Sequence, residues 1–219
     1  RKETFSGYDL QQSKDLSTKL TRERAIHHIL DHLEESDIVV STTGMPSREM
    51  FEYRASKNQG HQQDFLTVGG MGHASHIALG IALQKPDRQV FCLDGDGAAL
   101  MHMGALAITG ALQPKNFKHI ILNNGAHDSV GGQPTVGAHI NFLAIAEATG
   151  YHVTARAQTV EEIKKYLGET RQSLGPSLLE IRVKKGARKD LGRPTLTPIE
   201  NKQQFMKFLS LSKIGPNSL

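Results

Sequence analysis

The sequence predicts an α/β fold, in which a mostly parallel sheet of six strands is wound with helices on both faces. Short apolar runs alternate about six times with segments of helical periodicity. Glycine-rich or polar turns follow several of the predicted strands, as expected where parallel strands end at a functional edge. The chain length of 219 residues suits one such domain or two small ones.

The first elements are predicted within residues 21–46. Thr21 can cap a helix over residues 22–35, whose apolar side chains recur at helical spacing. Residues 37–41 contain a short apolar run that is typical of a buried parallel strand. Pro46 then opens a second helix, at a position where proline is tolerated.

The later elements continue the alternation. Strands are predicted at residues 65–68, 89–93, 118–123, 152–155 and 177–183. Helices are predicted at residues 73–83, 98–112 and 141–149, from Thr159 onward, and at 198–209. We therefore expect a linker or arm at residues 1–20, the main domain at 21–183, and a basic extension ending in a helix at 184–219.

Composition limits the classes of protein that fit. The sequence is 38% hydrophobic and 22% charged, and no run approaches the roughly 18 apolar residues of a membrane span. The single cysteine, Cys92, excludes an internal disulfide and favours a reducing cytoplasm. The net charge is +4, with +6 on residues 184–219. We read that basic segment as solvated surface or a contact with an anionic substrate or another subunit, and expect no nucleic-acid or membrane partner.

Two polar motifs are predicted to meet at one edge of the sheet. Gly95, Asp96 and Gly97 follow one strand, and an asparagine pair ending at Asn124 follows the next. Carboxylate and amide oxygens suit Mg²⁺, and the two glycines let the backbone approach a diphosphate closely. A helix beginning near Ala98 would direct free N–H groups at that anion. The pair of motifs predicts a magnesium–diphosphate site.

These motifs resemble the diphosphate motif of thiamine diphosphate enzymes. The resemblance implies that Asp96 and Asn124 bind Mg²⁺ and that the backbone carbonyl of Ala126 is the third protein ligand. It thus implies two cofactors, thiamine diphosphate and Mg²⁺.

A second segment, residues 68–73, resembles the part of these enzymes that seats the aminopyrimidine ring. By this resemblance Met71 wedges between the two cofactor rings, and the carbonyl of Gly69 accepts a hydrogen bond from the pyrimidine amino group. Core packing is the alternative role for Met71. The resemblance also implies cofactor-phosphate contacts just after residues 37–41, at Thr42, Thr43 and Gly44.

A narrower resemblance covers nearly the whole chain. Residues 39–44, 69–80, 123–135 and 186–195 are similar to phosphonopyruvate decarboxylases, with sulfopyruvate decarboxylases as close relatives. It implies decarboxylation of 3-phosphonopyruvate to phosphonoacetaldehyde and CO₂. Sulfopyruvate, another 2-oxo acid, and a non-catalytic cofactor-binding domain remain alternatives.

His127 and Asp128, directly after the metal loop, are candidate catalytic residues. They could orient substrate or shuttle a proton, although a loop histidine can also be plain polar surface. Arg188 and Arg193 could contact an anionic substrate or remain solvated.

The resemblance also indicates what this sequence does not supply. These enzymes use a glutamate on a pyrimidine-binding domain to activate the cofactor, and no segment here resembles that domain. Six glutamates fall on predicted helices and are expected to be solvated: Glu34, Glu35, Glu49, Glu52, Glu161 and Glu162. The chain begins with Arg1 rather than Met. We therefore expect half an active site, completed in an oligomer by another subunit or by a missing N-terminal segment.

Overall fold

A six-stranded parallel sheet organises the chain, which confirms the predicted fold class. The computed structural model describes residues 16–211. The strands of this sheet are β1 (Ile38–Ser41), β2 (Asp64–Leu66), β3 (Val90–Gly95), β4 (Phe117–Asn123), β7 (Val153–Ala157) and β8 (Ser177–Arg182). Their order is β2-β1-β3-β4-β8-β7, and every neighbouring pair is parallel. A separate two-stranded ribbon pairs β5 (Ala126–His127) with β6 (Gln133–Pro134), antiparallel.

Helices cover both faces of the sheet. They are α1 (Arg22–Leu30), α2 (Met45–Ser56), α3 (Ala74–Gln84), α4 (Asp96–Met101), α5 (Gly104–Leu112), α6 (Phe142–Thr149), α7 (Val160–Gln172) and α8 (Pro198–Ser210). One core cluster joins α1, α2 and α7 to the sheet, and the other joins α3, α5, α6 and α8 to its opposite face. Along β3 the side chains alternate accordingly, with Phe91 and Leu93 in the first cluster and Cys92 in the second.

Two predicted helix boundaries are wrong. Helix α1 ends at Leu30 rather than near residue 35, because the Asp37 carboxylate accepts a hydrogen bond from the Glu34 amide and closes a turn there. The helix predicted at 98–112 begins at Asp96 and divides into α4 and α5 at His102. The amide groups on the C-terminal side of this break bond three residues back, as in a tighter turn.

The last helix belongs to the sheet rather than to a loose tail. The Asn201 side chain on α8 donates to the backbone carbonyl of Asp64 at 2.9 Å and accepts from the Leu66 amide at 3.0 Å. It thereby satisfies the exposed backbone of the edge strand β2, which would otherwise offer open pairing sites. Phe205 packs in the adjacent core.

The expected N-terminal arm lies largely outside the described residues, as do residues 212–219. Within the described part, Leu16 and Leu20 are buried, and the Lys184 amide donates to the Leu20 carbonyl at 2.7 Å. None of the helices between residues 16 and 211 is long and apolar enough to cross a membrane.

Candidate functional site

A cleft lies at the carboxyl ends of β1, β3 and β4, where a parallel α/β sheet places its site. Its volume is about 410 Å³, including the part that opens to solvent. It brings together most of the predicted site residues: Thr43, Met71, Gly95, Asp96, Gly97, Ala98, Asn124, Ala126, His127 and Asp128. The other two, Gly44 and Gly69, lie next to these residues rather than on the lining.

Asp96 is a buried carboxylate directly after β3. One of its oxygens accepts a hydrogen bond from the Thr135 hydroxyl, and the other accepts from the Asn124 amide at 3.4 Å. Burial raises the pKa of Asp96 above its ordinary value, and these hydrogen bonds offset part of that effect. A bound cation would stabilise the charged form further.

The three predicted metal ligands adjoin one another. The Asn124 side-chain oxygen accepts from the Ala126 amide at 3.0 Å, while the Asn124 backbone contacts Asp96. The Asn124 side-chain nitrogen donates to Asp128 at 2.7 Å. The structure therefore fixes which end of the asparagine amide carries its oxygen.

Glycines allow the loops to meet at close range. A Cβ at Gly97 would lie 2.4 Å from the His127 ring, so glycine here lets that histidine pack on the start of α4. Gly72 has a φ of 88°, and a Cβ there would approach the Ala98 carbonyl to 2.8 Å. The turn carrying Met71 is thus seated directly on α4, which places Met71 at the cleft wall.

The loop after β1 contributes an unsatisfied hydroxyl. The side-chain oxygen of Thr42 is buried and has no hydrogen-bond partner among the described residues, although Thr42 lines the cleft. Beside it, the Thr43 hydroxyl accepts from the Gly69 amide at 3.2 Å, which ties this loop to the glycine turn. A buried hydroxyl without a partner costs free energy unless a ligand supplies one.

A buried ion-pair network supports the cleft, and it overturns the expectation that Glu49 is solvated. The Arg22 guanidinium donates to both Glu49 oxygens, at 2.8 and 3.0 Å, and to Asp128 at 2.7 Å. Only 4% of the Arg22 side chain and 2% of the Glu49 side chain are exposed. Burial alone would lower the pKa of Arg22, but the two carboxylates more than offset this, so its pKa lies above the ordinary value. Glu49 is buried because its face of α2 packs against the start of α1.

Arg188 does not present a free cation at the cleft. It forms ion pairs with Glu23, Glu52 and Asp190. Neither expected role, contact with an anionic substrate or a solvated charge, included these carboxylate partners. Glu52 is correspondingly paired rather than merely solvated, while Arg193 is exposed.

A second buried polar cluster lies two residues earlier on β3. The Asp94 carboxylate accepts a hydrogen bond from the Cys92 thiol at 3.8 Å and lies 3.1 Å from a ring nitrogen of His119. These three side chains are close enough to share a metal ion. However, burial raises the pKa of the Cys92 thiol, and sulfur is a poor ligand for a hard cation. The oxygen-only set around Asp96 suits Mg²⁺ better.

Several contributors to the site were not predicted. Thr135 binds the Asp96 carboxylate, and its place at the end of the Gly-Gly-Gln-Pro-Thr segment was a usable signal. Met45, Pro46, Leu122 and Ser129 also line the cleft. Arg22 had no such signal, because its role depends on two carboxylates distant along the chain.

Comparison with known proteins places the fold and the cleft in one family. Residues 42–181 match the family described as thiamine pyrophosphate enzyme, C-terminal TPP binding domain. The chain therefore belongs to the thiamine pyrophosphate (diphosphate) enzymes and carries the domain that binds this cofactor.

Several similar curated proteins are decarboxylases. The chain is 37% identical to phosphonopyruvate decarboxylase of Streptomyces viridochromogenes over 89% of its own length and 48% of that protein. Identity to the Streptomyces hygroscopicus enzyme is 38%, over 86% and 45%. This chain thus spans a little under half the length of both. Sulfopyruvate decarboxylase subunit beta of Methanococcus maripaludis is 30% identical over 86% of this chain and 97% of that subunit.

Solved structures confirm the fold. Benzoylformate decarboxylase from Polynucleobacter necessarius superposes with a TM-score of 0.67, at 16% identity over 81% of this chain and 35% of that one. A 4-hydroxybenzoylformate decarboxylase from Rhodococcus jostii gives 0.64, at 22% identity over 82% and 35%.

Proposed function

We propose that this chain supplies the Mg²⁺- and diphosphate-binding half of a decarboxylase that converts 3-phosphonopyruvate to phosphonoacetaldehyde and CO₂. The observation that carries the proposal is the convergence of Asp96, Asn124 and the Thr42 hydroxyl, which has no partner within residues 16–211, in one cleft at the carboxyl edge. The 37% identity to a phosphonopyruvate decarboxylase over most of the chain supports the choice of substrate.

The residues of the cleft fit the cofactor and its metal ion. Asp96 offers a buried carboxylate, and because burial disfavours its charged form, a bound cation would stabilise it. Asn124 adds a neutral oxygen beside it. In the proposed site these two side chains and the Ala126 carbonyl hold Mg²⁺, as the oxygen preference of this ion requires. The Thr42 hydroxyl and the backbone of Gly95, Gly97 and Ala98, which line the cleft, would bind the diphosphate.

When bound, thiamine diphosphate supplies the electron sink that accepts the electrons left behind as CO₂ departs. The chain's own residues bind and orient. Met71 and the glycine turn support the pyrimidine end, with the Gly69 carbonyl as a hydrogen-bond acceptor, and Thr43 and Gly44 hold the loop that faces the phosphates. His127, packed on Gly97, is the candidate to position substrate or move a proton. Asp128 fits a positioning role better, since one of its oxygens already accepts three hydrogen bonds.

The cofactor assignment is tested by Asp96→Ala in the assembled enzyme. We expect Mg²⁺-dependent thiamine diphosphate binding, measured by calorimetry, to fall by at least about 100-fold, because the charged ligand is lost. Asp190→Ala, at an exposed carboxylate outside the cleft, is the matched control. Unchanged cofactor binding in Asp96→Ala, with both variants folded by circular dichroism, would contradict the assignment.

A second substrate has its own support. The Methanococcus maripaludis relative is a subunit that this chain covers over 97% of its length, and it is named for sulfopyruvate. Turnover of 3-phosphonopyruvate and sulfopyruvate, compared as kcat/KM in one preparation of the assembled enzyme, decides between them. A preference for sulfopyruvate would replace the first assignment with the second.

The proposal includes a partner. The similar sulfopyruvate decarboxylase is described as a beta subunit, which supports completion of the site by a second polypeptide or segment. We propose that this partner is a pyrimidine-binding domain carrying the activating glutamate, in an oligomer with at least two copies of each half. The 219-residue chain alone should then bind cofactor weakly and show no turnover, and addition of the partner should restore both. Robust turnover by the isolated chain, with no second polypeptide by mass spectrometry, would contradict this arrangement.

A further inference from the structure

A line of buried polar contacts runs from α2 to the cleft. Glu49 accepts two hydrogen bonds from Arg22, and Arg22 donates onward to Asp128. The same Asp128 oxygen accepts from the Asn124 side chain at 2.7 Å and from the Gly186 amide at 3.0 Å. Segments from α1, the loop after β4 and the segment after β8 therefore meet at one carboxylate oxygen, and α2 is linked to it through Arg22.

Arg22 is poorly suited to bind an anionic ligand, even though it lines the cleft. Its single positive charge already faces two carboxylates, both within 2.8 Å. Two carboxylates beside one guanidinium give the group a net negative charge. A further anion would therefore be repelled unless one of the carboxylates moved away. Its planar fork instead spans two acceptors at once, which lysine cannot do with the same geometry.

We infer that Glu49, Arg22 and Asp128 form a positioning device that fixes the orientation of the Asn124 amide. An ionised carboxylate only accepts hydrogen bonds, so Asp128 can face the NH₂ end of this amide and not its oxygen. The amide oxygen must then point to the opposite side, beside Ala126. Arg22 and the Gly186 amide hold Asp128 in place, and Glu49 holds Arg22. This inference rests on the proposed function, because that oxygen is a proposed Mg²⁺ ligand.

The test compares two buried arginine–carboxylate pairs. Arg22→Met/Glu49→Leu removes the pair that leads to the cleft. Arg54→Met/Asp64→Leu removes a pair of the same kind, with contacts of 3.0 Å, that does not contact the cleft. The control removes both charges of its pair. The cleft variant leaves Asp128, whose side chain is 8% exposed, without its guanidinium partner but with the Asn124 and Gly186 donors. Asp128→Asn is the direct variant, because an amide can face either end of Asn124.

Mg²⁺ is titrated into each assembled enzyme at saturating thiamine diphosphate, with the melting temperature recorded in parallel. We expect Asp128→Asn and the Arg22/Glu49 variant to bind Mg²⁺ roughly 10- to 100-fold more weakly, the usual range for groups that orient a ligand. The Arg54/Asp64 control should keep wild-type affinity. In the metal-free protein, the NMR signal of the Asn124 side-chain NH₂ should lose its downfield hydrogen-bonded shift in Asp128→Asn and keep it in the Arg54/Asp64 control.

Three results would overturn the inference. Mg²⁺ affinity could stay at the wild-type level in both cleft variants, or it could fall equally in the control, which would mean general loosening. If the Arg22/Glu49 variant does not fold, Arg22→Lys takes its place. The third overturning result is then wild-type Mg²⁺ affinity in Arg22→Lys. Where one of these results overturns the inference, loss of cofactor binding in Asp96→Ala shows that the proposed function still stands. Absence of Mg²⁺-dependent cofactor binding in the wild type removes both.

Discussion

The amino ends and the carboxyl ends of the sheet strands, the amino edge and the carboxyl edge, bury charge in different ways. At the amino edge, Arg54 meets both oxygens of Asp64, each at 3.0 Å, and Arg171 spans both oxygens of Asp37. Lys118 there donates to three backbone carbonyls. Each of these cations is matched by local acceptors, so the contacts close on themselves.

At the carboxyl edge the contacts lead to a cleft. The network that starts at Glu49 ends on the Asn124 side chain, and the nearby Thr42 hydroxyl is left without a partner among the described residues. Buried charge alone therefore does not identify a functional site in this molecule. The carboxyl edge differs because its hydrogen-bonded network ends on the Asn124 side chain, beside a Thr42 hydroxyl, and both are able to bind a ligand.

The amino edge should show the largest effect on stability. Arg54→Met leaves the Asp64 carboxylate buried without its partner, which typically costs about 3–5 kcal/mol of the free energy of unfolding. Urea denaturation measures it. Arg54→Met/Asp64→Leu should recover most of the loss, and cofactor affinity of the folded fraction should not change. A drop in cofactor affinity larger than the drop in stability would show that the two edges are coupled.

Lys118 gives a pH-dependent version of the same contrast. Burial lowers the pKa of Lys118 from 10.5 to about 8, and nearby Arg171 adds to the shift. Between these values the unfolded chain binds the proton more tightly, so stability should rise as the pH rises from about 8 to 10.5. The rise should be at most about 3.5 kcal/mol, since one pKa unit corresponds to about 1.4 kcal/mol and the two values differ by about 2.5.

The measurement is the free energy of unfolding against pH for the wild type and Lys118→Met. The difference between the two proteins isolates the lysine, because the other titrating groups are common to both. A pH-independent difference would mean that the three carbonyls hold Lys118 charged throughout this range.

Much of the fold could be read from local patterns. The strands of the main sheet are short buried runs, such as Ile38–Ser41 and Phe117–Asn123, and apolar runs of this length are visible in sequence. The ribbon of Ala126–His127 and Gln133–Pro134 could not be seen, because two-residue strands carry no periodicity. The division at His102 was missed for a related reason. It accompanies packing of a distant glycine turn on α4, and no proline or cap marks it.

The candidate site divides in the same way. The meeting of Asp96 and Asn124 in one cleft was predictable because each follows its own strand, and parallel strands bring such positions to one edge. The burial of Glu49 was not predictable, since a helical glutamate is usually solvated and its partner lies 27 residues away. The roles of individual cleft residues, including His127, stay predictions.

The smallest expected effect concerns Thr42 and bears on the carboxyl edge. Its hydroxyl is buried without a partner among residues 16–211, so replacing it with an isosteric methyl removes an unsatisfied polar atom. Thr42→Val should therefore leave the cofactor-free protein as stable as the wild type or slightly more stable. If that hydroxyl donates to the diphosphate, the variant should bind thiamine diphosphate about 10-fold more weakly, as for one hydrogen bond to a charged group. Thr42→Ser keeps the hydroxyl and should retain affinity.

Calorimetry of cofactor binding, beside thermal unfolding without cofactor, measures both effects. A Thr42→Val variant that loses stability and keeps its cofactor affinity would show that the hydroxyl serves the fold, and the distinction between the two edges would then rest on Asn124 alone.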